Sequence, residues 1–395
     1  MKTKLVLLVI FATVLCSLLS YSQPSQASSA LNAAIDSLKD HYAPDRHMAV
    51  FDVTCIQQES GAIVRGEVDN PKAKEDVMVL VRKTLGGQMI DSLKVLPDPQ
   101  LGEKQFGIVR VSVGNVRSNP RHPAELLTQA LMGSGAKLLK KQGGWYYVQL
   151  PDSYMGWLEE SAMKVTDAAG YDAWKSASKV IVTAYFGIVR EHPSTNSLPV
   201  SDAVAGMLFK KIGASGKWAS VELPDGRHAY IEKSNVEDYT AWKKSRKLTG
   251  ENIEKTAKLF LGVPYLWGGT SPKGVDCSGF TKLVYRLNGM ELRRDANEQA
   301  REGENVEAGE GFANLKKGDL LFFGRKGMNE RSERITHVGI YLEKKEFIQS
   351  SGGGASVTLN SFDPSAANFR GDLLRIFVRA RRYIGTQPVP EVPKK

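Results

Sequence analysis

Two stretches of the chain carry hydrophobic patterns sharp enough to define their elements. After Asp276, apolar residues fall at Phe280, Leu283, Val284 and Leu287, the i, i+3, i+4, i+7 spacing of an amphipathic helix. Asp276 is a good N-cap, and Gly289 is placed to stop the helix. Further on the pattern alternates instead. Ile335, His337, Gly339 and Tyr341 share one face of a predicted strand, and Thr336, Val338, Ile340 and Leu342 share the other. A second strand, 346–350, follows at once. A hairpin loop of 343–345 pairs Leu342 with Glu346, sets His337 opposite Ser351 and makes Gln349 its diagonal neighbour on the same face. A two-residue loop would turn Gln349 away and present Ser350.

The remaining chain divides into blocks. In 28–105, Leu31, Ala34, Ile35 and Leu38 have helical spacing, while 49–53, 62–66 and 77–81 read as strands or a helix–strand mix. This small α+β unit shows no chemistry and reads as a packing or spacer module. Residues 106–236 repeat with a period of 73. Trp145, Val148, Leu150, Pro151 and Asp152 recur as Trp218, Val221, Leu223, Pro224 and Asp225; Gly114, Val116, Arg117, Pro120 and Gly133 recur as Gly187, Val189, Arg190, Pro193 and Gly206. Two copies of one fold follow, at 106–165 and 179–236. Each alternates short strands with Gly, Pro and Asp turns, the pattern of a small β-barrel. Residues 239–258 form a charged, partly helical connector. The unit bearing the two opening patterns spans 250–384, and 385–395 is a proline-bearing tail expected to be disordered.

The start of the chain reads as an export signal over 1–27. Met1-Lys2-Thr3-Lys4 is basic, the apolar run 5–19 is short for a membrane span, and Ser25-Gln26-Ala27 suits cleavage before Ser28. The mature protein is then expected outside the cytoplasm, periplasmic or extracellular, with no transmembrane span. Leu15 makes a poor lipobox residue before Cys16, so no lipid anchor is expected there.

Composition changes this picture little. Hydrophobic residues are 42% and charged residues 24%, ordinary for a globular chain of two to four domains. The net charge of +10 suits anionic surroundings, but no dense Lys/Arg block is interleaved with aromatics, so no nucleic-acid partner is expected. The six histidines never cluster with carboxylates or cysteines at ligand spacing, so neither metal nor cofactor is expected. A monomer is the expectation. Beyond the leader only Cys55 and Cys277 remain, too few for a disulfide framework.

Cys277 falls in the first turn of the predicted helix, where the dipole and free N–H groups favour a thiolate and lower its pKa. Ser278 and Gly279 are small enough for a substrate backbone to approach. His337 is the sole histidine in 229–395 and hence the available imidazole base. A third group should orient that ring by accepting its other N–H, and the amide oxygen of Gln349 is competent to do so. The Cys277 N–H is a plausible oxyanion donor.

These residues carry a resemblance. Pro264-Tyr265-Leu266-Trp267-Gly268-Gly269, Asp276-Cys277-Ser278-Gly279-Phe280, the run 317–323 and His337-Val338-Gly339-Ile340-Tyr341 are similar to the NlpC family of papain-like cell-wall cysteine peptidases. The repeat resembles bacterial SH3-like domains. The fold class implied is multidomain α+β: a small N-terminal α+β unit, two SH3-like β-barrels and a C-terminal papain-like domain.

The arrangement resembles the γ-D-glutamyl-L-diamino acid endopeptidases, which act on murein peptides with a free N-terminal L-Ala. The resemblance implies Cys277, His337 and Gln349 as catalytic residues, although the family commonly has histidine at the third position. For the substrate amine it implies Asp295, with Glu125 and Tyr154 borrowed from the first barrel. The repeat agrees, since their counterparts are Leu198 and Arg227. Tyr265 and Trp267 are expected to line the groove, and Asp276 and Ser278 to contact the dipeptide backbone. Competing readings are a hydrolase of intact peptidoglycan and a non-catalytic wall-binding adaptor.

Overall fold

The computed structural model describes residues 26–386 apart from 59 and 329–331. The expected leader up to residue 25, Cys16 and the tail from 387 lie outside the described residues. No helix among the described residues is long and apolar enough to cross a membrane.

The N-terminal unit pairs Phe51–Gln58 antiparallel with Gly61–Val68, and the latter parallel with Gln88–Val95. Helices Gln26–Tyr42 and Pro71–Leu85 cover one face, burying Leu31, Ile35, Ala73, Val77 and Val81 against Val64 and Leu93. Here the helix–strand ambiguity at 77–81 resolves to helix. Asn70 caps it by accepting the Lys72 N–H at 2.8 Å, and Pro71 stands in the first turn. Val77 and Val81, four apart, go to the core, so tertiary packing overrides the β-branched composition.

The two barrels repeat strand for strand. Phe106–Val109, Val113–Arg117, Leu126–Leu131, Gly135–Gln142, Trp145–Gln149 and Met155–Glu159 correspond at an offset of 73 to Lys179–Val182, Phe186–Arg190, Pro199–Val204, Leu208–Ser215, Trp218–Glu222 and His228–Glu232. Each forms a seven-stranded sheet with the same neighbour order, completed by Met163–Thr166 or Val236–Asp238. Leu131 and Met132 of the first copy join the core of the second, which joins the barrels end to end.

The C-terminal unit is a six-stranded sheet ordered Glu304–Val306, Phe377–Arg382, Leu320–Arg325, Arg334–Tyr341, Glu346–Ser351, Ser356–Ser361. The helix Cys277–Leu287 packs one face, seating Phe280, Leu283 and Val284 against Leu320, Phe322, Val338, Ile340 and Ile348. Burying each such side chain stabilises by about 1.5–3 kcal/mol. The other face carries Leu321, Phe323, Tyr341, Phe347 and Phe362. One detail departs from strict alternation. A bulge sets Gly324 opposite Ile335 and Phe323 opposite His337, leaving Thr336 unpaired, and Ile335 packs on the helix side rather than with His337.

The units share interfaces. Leu96, Leu139 and Met155 form a small core between the N-terminal unit and the first barrel, and Glu67 pairs with Lys140. Gln129 of that barrel clamps the C-terminal unit: its amide oxygen accepts from the Thr270 N–H at 3.1 Å and the Ser271 hydroxyl at 2.9 Å. Asp152 pairs with Lys282 on the cysteine helix at 3.1 Å.

Candidate active site

Asp276 caps the cysteine helix. Its carboxylate accepts the Gly279 N–H at 2.7 Å and the Gly268 N–H at 2.9 Å, tying the loop before the helix to its first turn. Gly279 has no room for a Cβ, which would meet the Gly269 carbonyl oxygen at 2.0 Å. Its smallness therefore serves close packing of this loop rather than access for a substrate. Gly268, at φ +77°, similarly lets Leu126 of the first barrel lie against the same loop.

Arg294 completes this framework. It is buried and donates to both Asp276 oxygens and, at 2.9 Å, to the Ser278 hydroxyl. Burial works against its charge, but Asp276 outweighs that and pushes the Arg294 pKa up. The side chains of Asp276 and Ser278 are both buried in this network and taken up by Arg294. Sequence reasoning gave Arg294 no role. The signal available was a charged N-cap entering an apolar core, which requires a buried partner.

Cys277 keeps a partly open surface and is free, as is Cys55. The expected low thiol pKa is overturned: burial, followed by the neighbouring Asp276 charge, pushes the Cys277 thiol up to about 12. The N–H groups of Val338 and Ser278 and the Arg294 charge pull the other way without prevailing. The contact with Val338 places the sulfur against the strand one residue from His337. The Tyr265 hydroxyl, also near the thiol, is pushed up to about 12 by burial and by Cys277, so it stays protonated.

His337 and Gln349 meet through Nε2 and Oε1. Leu342 donates its N–H to the Glu346 carbonyl at 2.9 Å and Ile340 pairs with Ile348, the register of the longer hairpin loop. Gln349 is fully buried, and its Nε2 donates to Asn360 Oδ1 at 2.7 Å. That bond directs the amide oxygen at the imidazole, so His337 carries its proton on Nε2 and leaves Nδ1 as the basic nitrogen. Burial lowers the His337 pKa below its ordinary value, while the Gln349 hydrogen bond partly offsets this. Thiol and imidazole therefore rest as a neutral pair. Asn360 was not anticipated, because nothing in the sequence marks a second amide behind the first.

Asp295 and Tyr154, 141 positions apart in sequence, are brought together: the Tyr154 hydroxyl donates to Asp295 Oδ2 at 3.0 Å. Glu125 belongs to a different contact, accepting the indole N–H of the exposed Trp267 at 2.9 Å. A third element enters that the sequence did not announce. His47, from the unit read as a spacer, sets Nδ1 3.2 Å from Asp295 Oδ2 and 3.1 Å from the Tyr154 hydroxyl. Burial works to raise the Asp295 pKa, but His47 and Arg294 outweigh it and hold the carboxyl below its usual range. Burial, with Asp45 and Asp295 close by, pushes Glu298 up to about 7.

Comparison with known proteins bears on the fold and the family. Residues 262–370 match the NlpC/P60 family, and residues 116–163 match the bacterial dipeptidyl-peptidase SH3 domain. The chain is 30% identical over 270 residues to the gamma-D-glutamyl-L-lysine dipeptidyl-peptidase of Bacillus cereus, an alignment covering 66% of this chain and 76% of that one. It is 27% identical over 282 residues to dipeptidyl-peptidase 6 of Lysinibacillus sphaericus, covering 67% and 95%. The crystal structure of an NlpC/P60 family protein from Bacillus cereus superposes with a TM-score of 0.61 at 24% identity, covering 71% of this chain and all of that one. The mixed α+β fold, the SH3-like domain and the papain-like unit with its cysteine helix place the chain in one family: it belongs to the NlpC/P60 cysteine peptidases.

Proposed function

We propose that the chain is an exported endopeptidase that cuts between γ-D-glutamate and the diamino acid of murein peptides whose L-Ala amine is free. The observation that carries this reading is the contact between Tyr154 and Asp295. Two units of the chain meet there at a carboxylate whose side chain is still 27% exposed, suited to a substrate ammonium. The names of the relatives, which are dipeptidyl-peptidases, point the same way.

In this reading His337 takes the Cys277 proton on Nδ1 as the sulfur attacks the γ-D-glutamyl carbonyl. The Cys277 N–H at the helix start and the protonated Tyr265 hydroxyl donate to the developing oxyanion. The proton then passes to the leaving amine, releasing the diamino acid product. Water, deprotonated by the same imidazole, clears the thioester, frees L-Ala-γ-D-Glu and restores the thiol. Gln349 holds the ring throughout, as a neutral amide can.

The test is mass spectrometry of products from L-Ala-γ-D-Glu-diaminopimelate and its N-acetylated form, with Cys277→Ala as control. Release of L-Ala-γ-D-Glu from the free-amine peptide alone, lost in the control, is expected. Cutting of both forms would favour a hydrolase of intact wall. Cutting of neither, with Cys277 no more reactive than Cys55, would favour a binding adaptor.

A further inference from the structure

We propose that the N-terminal α/β unit is a working part of the amine pocket, and that His47 is a positioning residue that fixes the Asp295 carboxylate to receive the substrate ammonium. This rests on the reading of Asp295 and Tyr154 given above.

His47 lies in the turn between the helix Gln26–Tyr42 and the strand Phe51–Gln58. The turn is held from both sides. Asp45 accepts the His47 N–H at 2.8 Å, and the His47 carbonyl accepts from the Met155 N–H at 2.7 Å. Met155 directly follows Tyr154, so a main-chain bond across the interface sets the imidazole and the phenol in register. Their rings pack with centroids 5.0 Å apart.

The proton assignment follows from the partners. A carboxylate only accepts, and Tyr154 has a single proton, which it places on Asp295 Oδ2. A bare His47 Nδ1 would face those same carboxylate lone pairs. Nδ1 therefore carries a hydrogen and donates to Oδ2 at 3.2 Å. Two donors from two different units converge on one oxygen. The other, Oδ1, lies 3.3 Å from the Tyr154 hydroxyl and 3.9 Å from Arg294 Nη1, and the carboxylate also meets the Glu298 N–H in the capping box of the helix Ala296–Gln299. The carboxylate keeps lone pairs for an ammonium on a side chain still 27% exposed. The surrounding charges are Asp45 from the same turn and Arg293, Arg294 and Glu298 from the C-terminal unit. Tyr154 is the titratable group contributed by the barrel.

The full-length protein should be assayed with L-Ala-γ-D-Glu-L-Lys and its N-acetylated form, using His47→Ala, His47→Phe and His47→Asn. Phenylalanine keeps the ring against Tyr154 without a donor, and asparagine keeps a donor without the ring. Thermal midpoints are recorded alongside. His47→Ala and His47→Phe are expected to raise KM for the free-amine peptide about tenfold with kcat little changed, the size of one hydrogen bond to a charged group. Both should also move the acid limb of 1/KM to higher pH, because Asp295 loses a donor that favours its charge. His47→Asn should restore both.

Unchanged KM and acid limb in folded His47→Phe would overturn the proposal while leaving the amine pocket intact. A lower KM would overturn it too, by showing that His47 obstructs the pocket. Equal cutting of both peptides by the wild-type protein would remove the underlying reading and the proposal with it.

Discussion

The two barrels have one fold and one strand order, yet only the first is wired into the candidate active site. Corresponding positions make the contrast concrete. Asp152 reaches across to Lys282 on the cysteine helix, whereas Asp225 is tied to its near neighbour Arg227 at 2.9 Å. Tyr154 donates to Asp295, whereas its counterpart is that same Arg227. Glu125 holds Trp267, whereas Leu198 is 71% exposed. Gln129 grips Thr270 and Ser271 through its amide oxygen, its main-chain carbonyl and its N–H, whereas Asp202 makes a single ion pair with Lys273 at 2.7 Å. The barrel core is duplicated and the outward-facing chemistry is not. A repeated fold thus states where packing is required, and the departures from the repeat state where another unit is addressed.

The largest separation between the copies is expected in stability. Asp152→Ala leaves the mostly buried Lys282 ammonium without its main partner and should destabilise by about 3 kcal/mol. Asp225→Ala breaks a pair with an exposed arginine and should cost at most about 1 kcal/mol. Chemical denaturation of both variants measures the gap, and equal losses would break the comparison.

Next comes substrate affinity. Tyr154→Phe removes the hydroxyl from Asp295 and should raise KM for the free-amine peptide about tenfold, while Arg227→Ala should leave it unchanged. Steady-state kinetics on the two variants decides.

The pH profile should distinguish the catalytic pair from both barrels. The mechanism needs neutral His337, whose pKa burial lowers beneath the ordinary 6.5, so the acid limb of kcat/KM should lie below that pH. The Gln349 hydrogen bond raises that pKa, so Gln349→Ala should move the acid limb lower still, together with a fall in kcat of about 10- to 100-fold. Asp225→Ala should leave the limb where it is. The smallest effect belongs to Leu198→Glu, which gives the second barrel the acid of the first; stability should stay within about 0.5 kcal/mol and activity should not change.

Much of this was legible in the sequence because it rests on periodicity. The apolar stripe from Phe280 to Leu287 and the alternation through Val338 and Ile340 specify which faces meet, and hairpin register then puts Gln349 beside His337. The duplicated positions announce the barrels, and Leu198 and Arg227 single out the copy whose Glu125 and Tyr154 contact the C-terminal unit. What escaped was long-range and polar. Arg294 beneath Asp276, Asn360 behind Gln349 and His47 over Asp295 each depend on where a distant segment docks, which no local pattern encodes. The thiol pKa went the other way for a similar reason. A helix N-terminus can be read from its cap, but the burial of Cys277 against the strand at Val338 needs the tertiary structure.

The central claim is that Asp295, held by Tyr154, reads the free amine of the substrate. The most direct measurement is the ratio of kcat/KM for the free-amine peptide to that for its N-acetylated form, in the wild-type protein and in Asp295→Asn. The account predicts a ratio of about 100 or more in the wild type, since acetylation both removes the charge and adds bulk, and a collapse of that ratio in Asp295→Asn. A wild-type ratio near one, or a large ratio that survives the loss of the carboxylate charge, would contradict it.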